Sequence, residues 1–143
     1  MPGIRLEPFK LEHLERLNWG EQAWLKPFLD LNALEHGFSG SVFSGNDFLG
    51  CGGLYEVHKF RAVAWGMPCP GHPKAFRGMH YLIKKVLREK VETYRRIEAY
   101  IDPEFSQAVR WAKALGFRKE GELKPYFFPD GRPGTEWVLT REE

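Results

Sequence analysis

The stretch from Arg96 to Leu123, RIEAYIDPEFSQAVRWAKALGFRKEGEL, constrains this chain more than any other. Ile97 to Ile101 alternates apolar and polar residues, the period of a strand with one buried face. Asp102 and Pro103 then suit the opening of a helix. The Asp carboxylate can accept from the first free amides, and Pro has no N–H to leave unpaired there. Phe105, Ala108, Val109, Ala112 and Leu115 recur at helical spacing. Gly116 follows, the residue type that most readily takes the left-handed conformation at a helix end. Phe117 starts a further strand. A strand, a capped helix and a strand in such quick succession must lay the helix on a sheet.

The rest of the chain supplies the sheet. Gly3 to Pro8 reads as a first strand, and Lys10 to Leu17 as a short helix with leucines at three-residue steps. Gln22 to His36 reads as a second helix, interrupted near Pro27 and ended by Gly37. Phe38 to Ser44 alternates as a strand, and Gly45-Asn46-Asp47 supplies turn residues. Phe48 to His58 is the next strand, where Gly50, Gly52 and Gly53 signal a bulge or a close backbone approach. Phe60 to Met67 is almost wholly apolar, which predicts a central strand. Pro68 to Pro73 is a loop. Phe76 to Arg95 then carries an apolar stripe of Met79, Leu82, Ile83, Val86, Leu87 and Val91, which predicts a long helix. The last strands are Ile97–Ile101, Phe117–Leu123 and Glu136–Thr140, with Phe128-Pro129-Asp130-Gly131 as the final turn.

That order, with Ala108 early in the last helix and Leu115-Gly116-Phe117 at its end, resembles the GNAT family of acetyl-CoA-dependent N-acetyltransferases. The resemblance runs along essentially the whole chain. It implies one GNAT-like domain over residues 1–143, of α/β (α+β) class. Its mixed, mostly antiparallel central sheet would have about seven strands flanked by about four helices. It also implies an acetyltransferase that moves an acyl group to an unidentified amine. Acetyl-CoA would lie after the central strand, its pyrophosphate held by amides at the start of the long helix. The family has Arg or Gln, two residues, Gly, one residue, then Gly or Ala at that place. Here the run is Arg77-Gly78-Met79-His80-Tyr81-Leu82. Arg77 and Gly78 fit the opening. His80 and Leu82 stand where small residues are usual, and the stripe assigns Leu82 to the core.

The implied cofactor-binding set is therefore Trp65, Gly66 and Met67 with Arg77, Gly78 and Met79. Acyl transfer to an amine needs a base for the amine proton and a donor for the departing thiolate. The family often uses a Tyr four residues before the Gly of Leu-Gly-Phe, and that position is Ala112. Glu56, Tyr100 and Asp102 are the remaining catalytic candidates; each also has a plain structural use, Asp102 as a helix cap. A second resemblance, concentrated in residues 74 to 117, is to a small GNAT-like protein of short-tailed bacteriophages linked to assembly of internal virion components. It implies a catalytically inactive scaffold, found in the virion or the infected host cell.

Composition narrows the alternatives. A chain of 143 residues, 43% hydrophobic and 15% aromatic, can bury a core without staples. Net charge is +2, too little to argue for nucleic acid. The two cysteines, Cys51 and Cys69, have no C-x-x-C spacing, so free thiols and no metal site are expected. No apolar run reads as a signal peptide or a membrane span, and a cytoplasmic protein is expected. A protein partner or a second copy of the chain stays open.

Overall fold

In this computed structural model, residues 3–16, 38–68, 73–128 and 130–141 are described. The expected helix over Gln22 to His36 lies outside them, as do Cys69 and Pro129. Period-two alternation resolves into β1 (Ile4–Pro8), β2 (Phe38–Ser44), β3 (Asp47–His58), β4 (Arg61–Pro68), β5 (Arg96–Ile101), β6 (Arg118–Lys124) and β7 (Gly134–Thr140). They form one sheet in the order β1-β2-β3-β4-β5-β7-β6, which places the apolar β4 at its centre as expected. Every neighbouring pair is antiparallel except β4 and β5. A parallel pair needs a crossover, and α1 (Pro73–Tyr94) supplies it. The second helix, α2 (Ser106–Ala114), joins β5 to β6. The short helix after β1 is a 3-10 helix, Leu11–Arg16.

Both α-helices cover the same face of the sheet. Leu87 and Val91 of α1 and Ala112 of α2 join Leu54, Ala62, Ile97 and Trp137 in one buried cluster. Met79, at the other end of α1, packs on Val42 and Leu49, with Leu82 and Trp111 against them. Because side chains alternate along a strand, the neighbours of Ala62 and Ile97 point the other way. That second face carries aromatic residues at one side, where Phe9, His13, Phe43, Phe48 and Trp65 touch edge to face or at a tilt. Over β4, β5 and β6 it carries charge instead.

Local chemistry explains the element ends. Gly116 takes φ 101, its N–H donates to Lys113 O, and the Phe117 N–H donates to Ala112 O. These are the paired bonds that close a helix through a left-handed glycine. At the other end α2 begins later than Asp102 and Pro103 suggest. Asp102 Oδ1 accepts from the Glu104 amide at 2.9 Å, and its Oδ2 pairs with Arg132 at 3.2 Å. Asp102 therefore caps a turn before the helix, whose own first residue lacks a side-chain cap. The long helix instead starts earlier than Phe76, at Pro73, a residue suited to the first turn. The glycines of β3 do mark close approach: a Cβ on Gly52 would lie 2.7 Å from the Trp65 carbonyl oxygen.

Candidate functional site: the wedge between β4 and β5

β4 and β5 pair over three positions only, Arg61 with Arg96, Ala62 with Ile97, and Val63 with Glu98. Beyond them the strands separate. β4 remains paired with β3 as far as Pro68, and β5 remains paired with β7 as far as Ile101. The edges of Ala64–Pro68 and Ala99–Ile101 that face each other therefore carry backbone groups with no strand partner between them. An internal edge of this kind can accept an extended ligand as an added strand. α1 begins five residues after β4 ends, so its N-terminus stands at the open end of the wedge.

The vertex of the wedge is closed by charge. Glu98 is 1% exposed. Arg61 on β4 reaches across to it, donating from Nε at 2.8 Å and from Nη2 at 2.7 Å. Arg96 Nε donates at 2.8 Å and the Tyr100 phenol at 2.9 Å. Arg96 also pairs with Glu120 of β6. The Arg61 hydrogen bonds, aided by Arg96 and Tyr100, outweigh burial and lower the Glu98 pKa from its ordinary 4.5 to about 2. Such a carboxylate does not take a proton at neutral pH. Burial, followed by the hydrogen bond to Glu98, raises the Tyr100 phenol above its ordinary value, so Tyr100 stays protonated.

The open half is lined differently. Gly66 of β4 is exposed on the helix side. A Cβ built there would have one described atom within 4 Å, Cζ3 of Trp111, at 4.0 Å. Trp111 Nε1 donates to Nδ1 of His80 at 3.2 Å, tying α2 to α1. Since the indole can only donate, Nδ1 accepts and the neutral ring carries its proton on Nε2. Burial, with Lys84 one turn on, lowers the pKa of His80 below its ordinary value.

The structure brings some sequence candidates together and separates others. Tyr100 stands on the splayed part of β5, beside the vertex. Asp102 follows at the end of the same strand, buried against Arg132. Glu56 pairs with Ala62 at the closed end and lies near Tyr94, the last residue of α1. Six residues of β4 separate that level from Pro68, roughly 20 Å at strand rise. Trp65 faces away from the helices, edge to face with Phe9 at 5.3 Å, its buried Nε1 without a partner among the described residues. Met67 pairs with Cys51 in the strand register.

The amides expected to meet the phosphate are engaged within α1. Because α1 starts at Pro73, helix geometry directs the amides of Arg77, Gly78 and Met79 to carbonyls one turn back. Gly78 and Met79 are also buried, Met79 within the core, whereas the Arg77 side chain is exposed. The free amides belong to Lys74 and Ala75, since Pro73 has none. Ala112 likewise sits in the core at 6% exposure, and Trp111 beside it faces Gly66. The Arg61–Glu98–Arg96 cluster was missed by sequence reasoning. Its trace was the alternation of Arg96, Glu98 and Tyr100 along β5.

No protein-family model and no curated protein matches the sequence. Solved structures match it closely in shape. A GNAT family acetyltransferase from Elizabethkingia anophelis with acetyl-CoA bound has TM-score 0.72 and 14% identity, over 99% of this chain and 100% of that one. Spermidine N-acetyltransferase from Vibrio cholerae, in complex with CoA and spermine, has TM-score 0.70 and 19% identity, over 98% and 96%. An acetyltransferase of the GNAT family from Bacillus anthracis has TM-score 0.71 and 15% identity, over 99% and 96%. The chain thus has the GNAT fold, in which its seven-stranded mixed sheet carries the splayed parallel pair β4–β5.

Proposed function

We propose that this chain is an acyl-CoA-dependent N-acyltransferase that moves an acetyl group from acetyl-CoA to an amine. The observation that carries the reading is the wedge: three paired positions, then an open internal edge leading to a helix N-terminus. The residues present fit the cofactor's parts. The edge of Ala64–Pro68 offers donors and acceptors in register for an extended amide-bearing arm. Gly66 leaves room above that edge. The Lys74 and Ala75 amides, with the dipole of α1 behind them, suit a pyrophosphate, and Arg77 adds charge one turn on. When bound, acetyl-CoA supplies the activated acyl group.

The chain's own chemistry then rests on Tyr100. Its position on the splayed part of β5 beside the vertex makes it the candidate proton donor for a departing thiolate, and its raised pKa keeps the phenol protonated until then. The Arg61 guanidinium beside Tyr100 favours the phenolate left behind. Glu98 stays ionised throughout and orients both. Asp102 holds the hairpin through Arg132, and Glu56, beside Tyr94, is placed for a structural part. The choice of an amine as acceptor is supported by one structural neighbour, the spermidine N-acetyltransferase seen with CoA and spermine. Among the described residues, no helix is long and apolar enough to cross a membrane.

Calorimetry with acetyl-CoA tests the reading directly. The wild type should bind at micromolar concentrations. Gly66→Val should lower affinity at least tenfold while its melting temperature stays within a few degrees, because a Cβ there meets only Trp111 Cζ3 among the described residues, at an ordinary contact distance of 4.0 Å. Absence of binding at millimolar ligand would favour the inactive scaffold. One observation supports that second reading: the amides of Arg77, Gly78 and Met79 are all used within α1.

A further inference from the structure

We infer that His80 is a positioning residue for acyl-CoA, holding the Trp111 indole as the wall of the wedge that faces Gly66. This rests on the acyl-CoA reading above and adds a role for a residue that sits where a small one is usual. Three observations meet at one point. The indole Nε1 donates to His80 Nδ1 at 3.2 Å, which fixes the ring of α2 against α1. Trp111 Cζ3 is the described atom a Cβ on Gly66 would meet, at 4.0 Å, so ring and strand stand one methyl group beyond contact. Trp111 also packs on the Val42, Leu49 and Met79 cluster, which backs the ring from the side of α1.

The indole is large and its edge could turn toward β4. Rotation that way would close the slot above Gly66, and rotation the other way would widen it. The bond to His80 selects one setting. A small residue at position 80 would leave the indole N–H without this partner. His80 therefore is not an obstruction in the phosphate cradle: its ring is engaged sideways with α2, while the free helix amides lie at Lys74 and Ala75. The wedge is a slot of set width, suited to a thin, extended amide chain such as a pantetheine arm.

Substitutions separate positioning from bulk. Asn offers a carbonyl oxygen near the place of Nδ1, whereas Leu fills similar space without an acceptor. Calorimetry with acetyl-CoA should show His80→Leu weaker by about tenfold, the scale of one lost hydrogen bond. His80→Asn should restore affinity to within about threefold of wild type on the same scale. The Trp111 indole N–H resonance should shift in His80→Leu and return toward its position in His80→Asn. Wild-type affinity in His80→Leu would overturn the inference. So would a gain in affinity, which would mean obstruction, or losses in both variants that track melting temperature alone. If the wild type itself binds no acetyl-CoA, the acyl-CoA reading fails first and takes this role for His80 with it.

Discussion

The two halves of the β4–β5 junction are built on opposite principles. In the closed half the backbone ladder is complete, and one buried carboxylate accepts four hydrogen bonds from Arg61, Arg96 and Tyr100. In the open half the ladder stops, the strand carries Gly66, and the nearest side chain among the described residues, Trp111, stands off by a methyl group. Charge saturation holds the strands together at the vertex, so their separation above it is a fixed shape. A junction paired along its full length would have no backbone groups to offer, and one without the clamp would have no defined opening. Rigidity and receptivity are therefore adjacent and separate, each set by different residues.

Removing the clamp should have the largest effect. Glu98→Ala leaves two guanidiniums facing each other across the junction. Breaking a buried pair costs about 3–5 kcal/mol. Side-chain exposures of 36% and 33% for Arg61 and Arg96 reduce that to about 2–4 kcal/mol here. Urea denaturation measures it. A loss below 1 kcal/mol would mean that the vertex is held by the backbone ladder alone.

Ala112→Tyr comes next. The family's Tyr position invites this change, yet Ala112 packs among Leu54, Ala62 and Ile97. Overfilling such a core costs about 1–3 kcal/mol, and the new phenol should bring no gain in acetyl transfer. A rate increase without loss of stability would show that the wedge reaches deeper toward α2 than Trp111 allows.

A pair of glycines sharpens the comparison further. Gly52 and Gly66 are register partners. A Cβ at Gly52 would press on the Trp65 carbonyl oxygen at 2.7 Å, whereas one at Gly66 reaches, among the described residues, only Trp111 at 4.0 Å. Gly52→Ala should destabilise by about 1–3 kcal/mol. Gly66→Ala should be neutral or stabilising by about 0.4–1 kcal/mol through the unfolded chain. Thermal melts of the two single variants decide it; equal losses would mean that the space above Gly66 is filled.

Much of the scaffold was legible because it depends on local chemistry. Alternation found the strands, Gly116 ended α2 as its residue type requires, and the apolar β4 lies at the sheet centre. Leu82 joins the core, as its place in the stripe indicated. The site was harder to read because its parts meet through tertiary contacts. Arg61 and Glu98 are 37 residues apart, and His80 and Trp111 are 31 apart. Nothing in local spacing pairs them. The state of the motif's amides was hidden for a related reason: the motif fixed attention on Arg77 to Leu82, while Pro73 starts the helix a turn earlier and engages those amides within it. Asp102 looked like a cap for α2 because sequence alone does not show Arg132 drawing its second oxygen away.

The smallest expected effect is a division of the two halves by pH. His80 in the open half and His13 under the aromatic face both have pKa values lowered from 6.5, chiefly by burial. His13 Nδ1 accepts from the Lys10 amide, a bond that the protonated ring would lose, and shares a hydrogen bond with Ser41 Oγ. When a folded-state pKa is depressed, the unfolded chain binds the proton first as pH falls. The stability these histidines contribute is therefore complete above pH 6.5 and declines below it, until their folded-state values are passed. Glu98 acts in a lower window: its contribution is complete above its ordinary 4.5 and is lost as pH falls toward about 2. Urea midpoints should thus be level from pH 8 to 7, fall below 6.5, and fall again below 4.5. His80→Asn should flatten part of the first step and leave the second unchanged. If the first step survives intact with both histidines replaced by Asn, it arises elsewhere in the fold. If His80→Asn alters the second step, the clamp and the open half are coupled, and the separation argued for them does not hold.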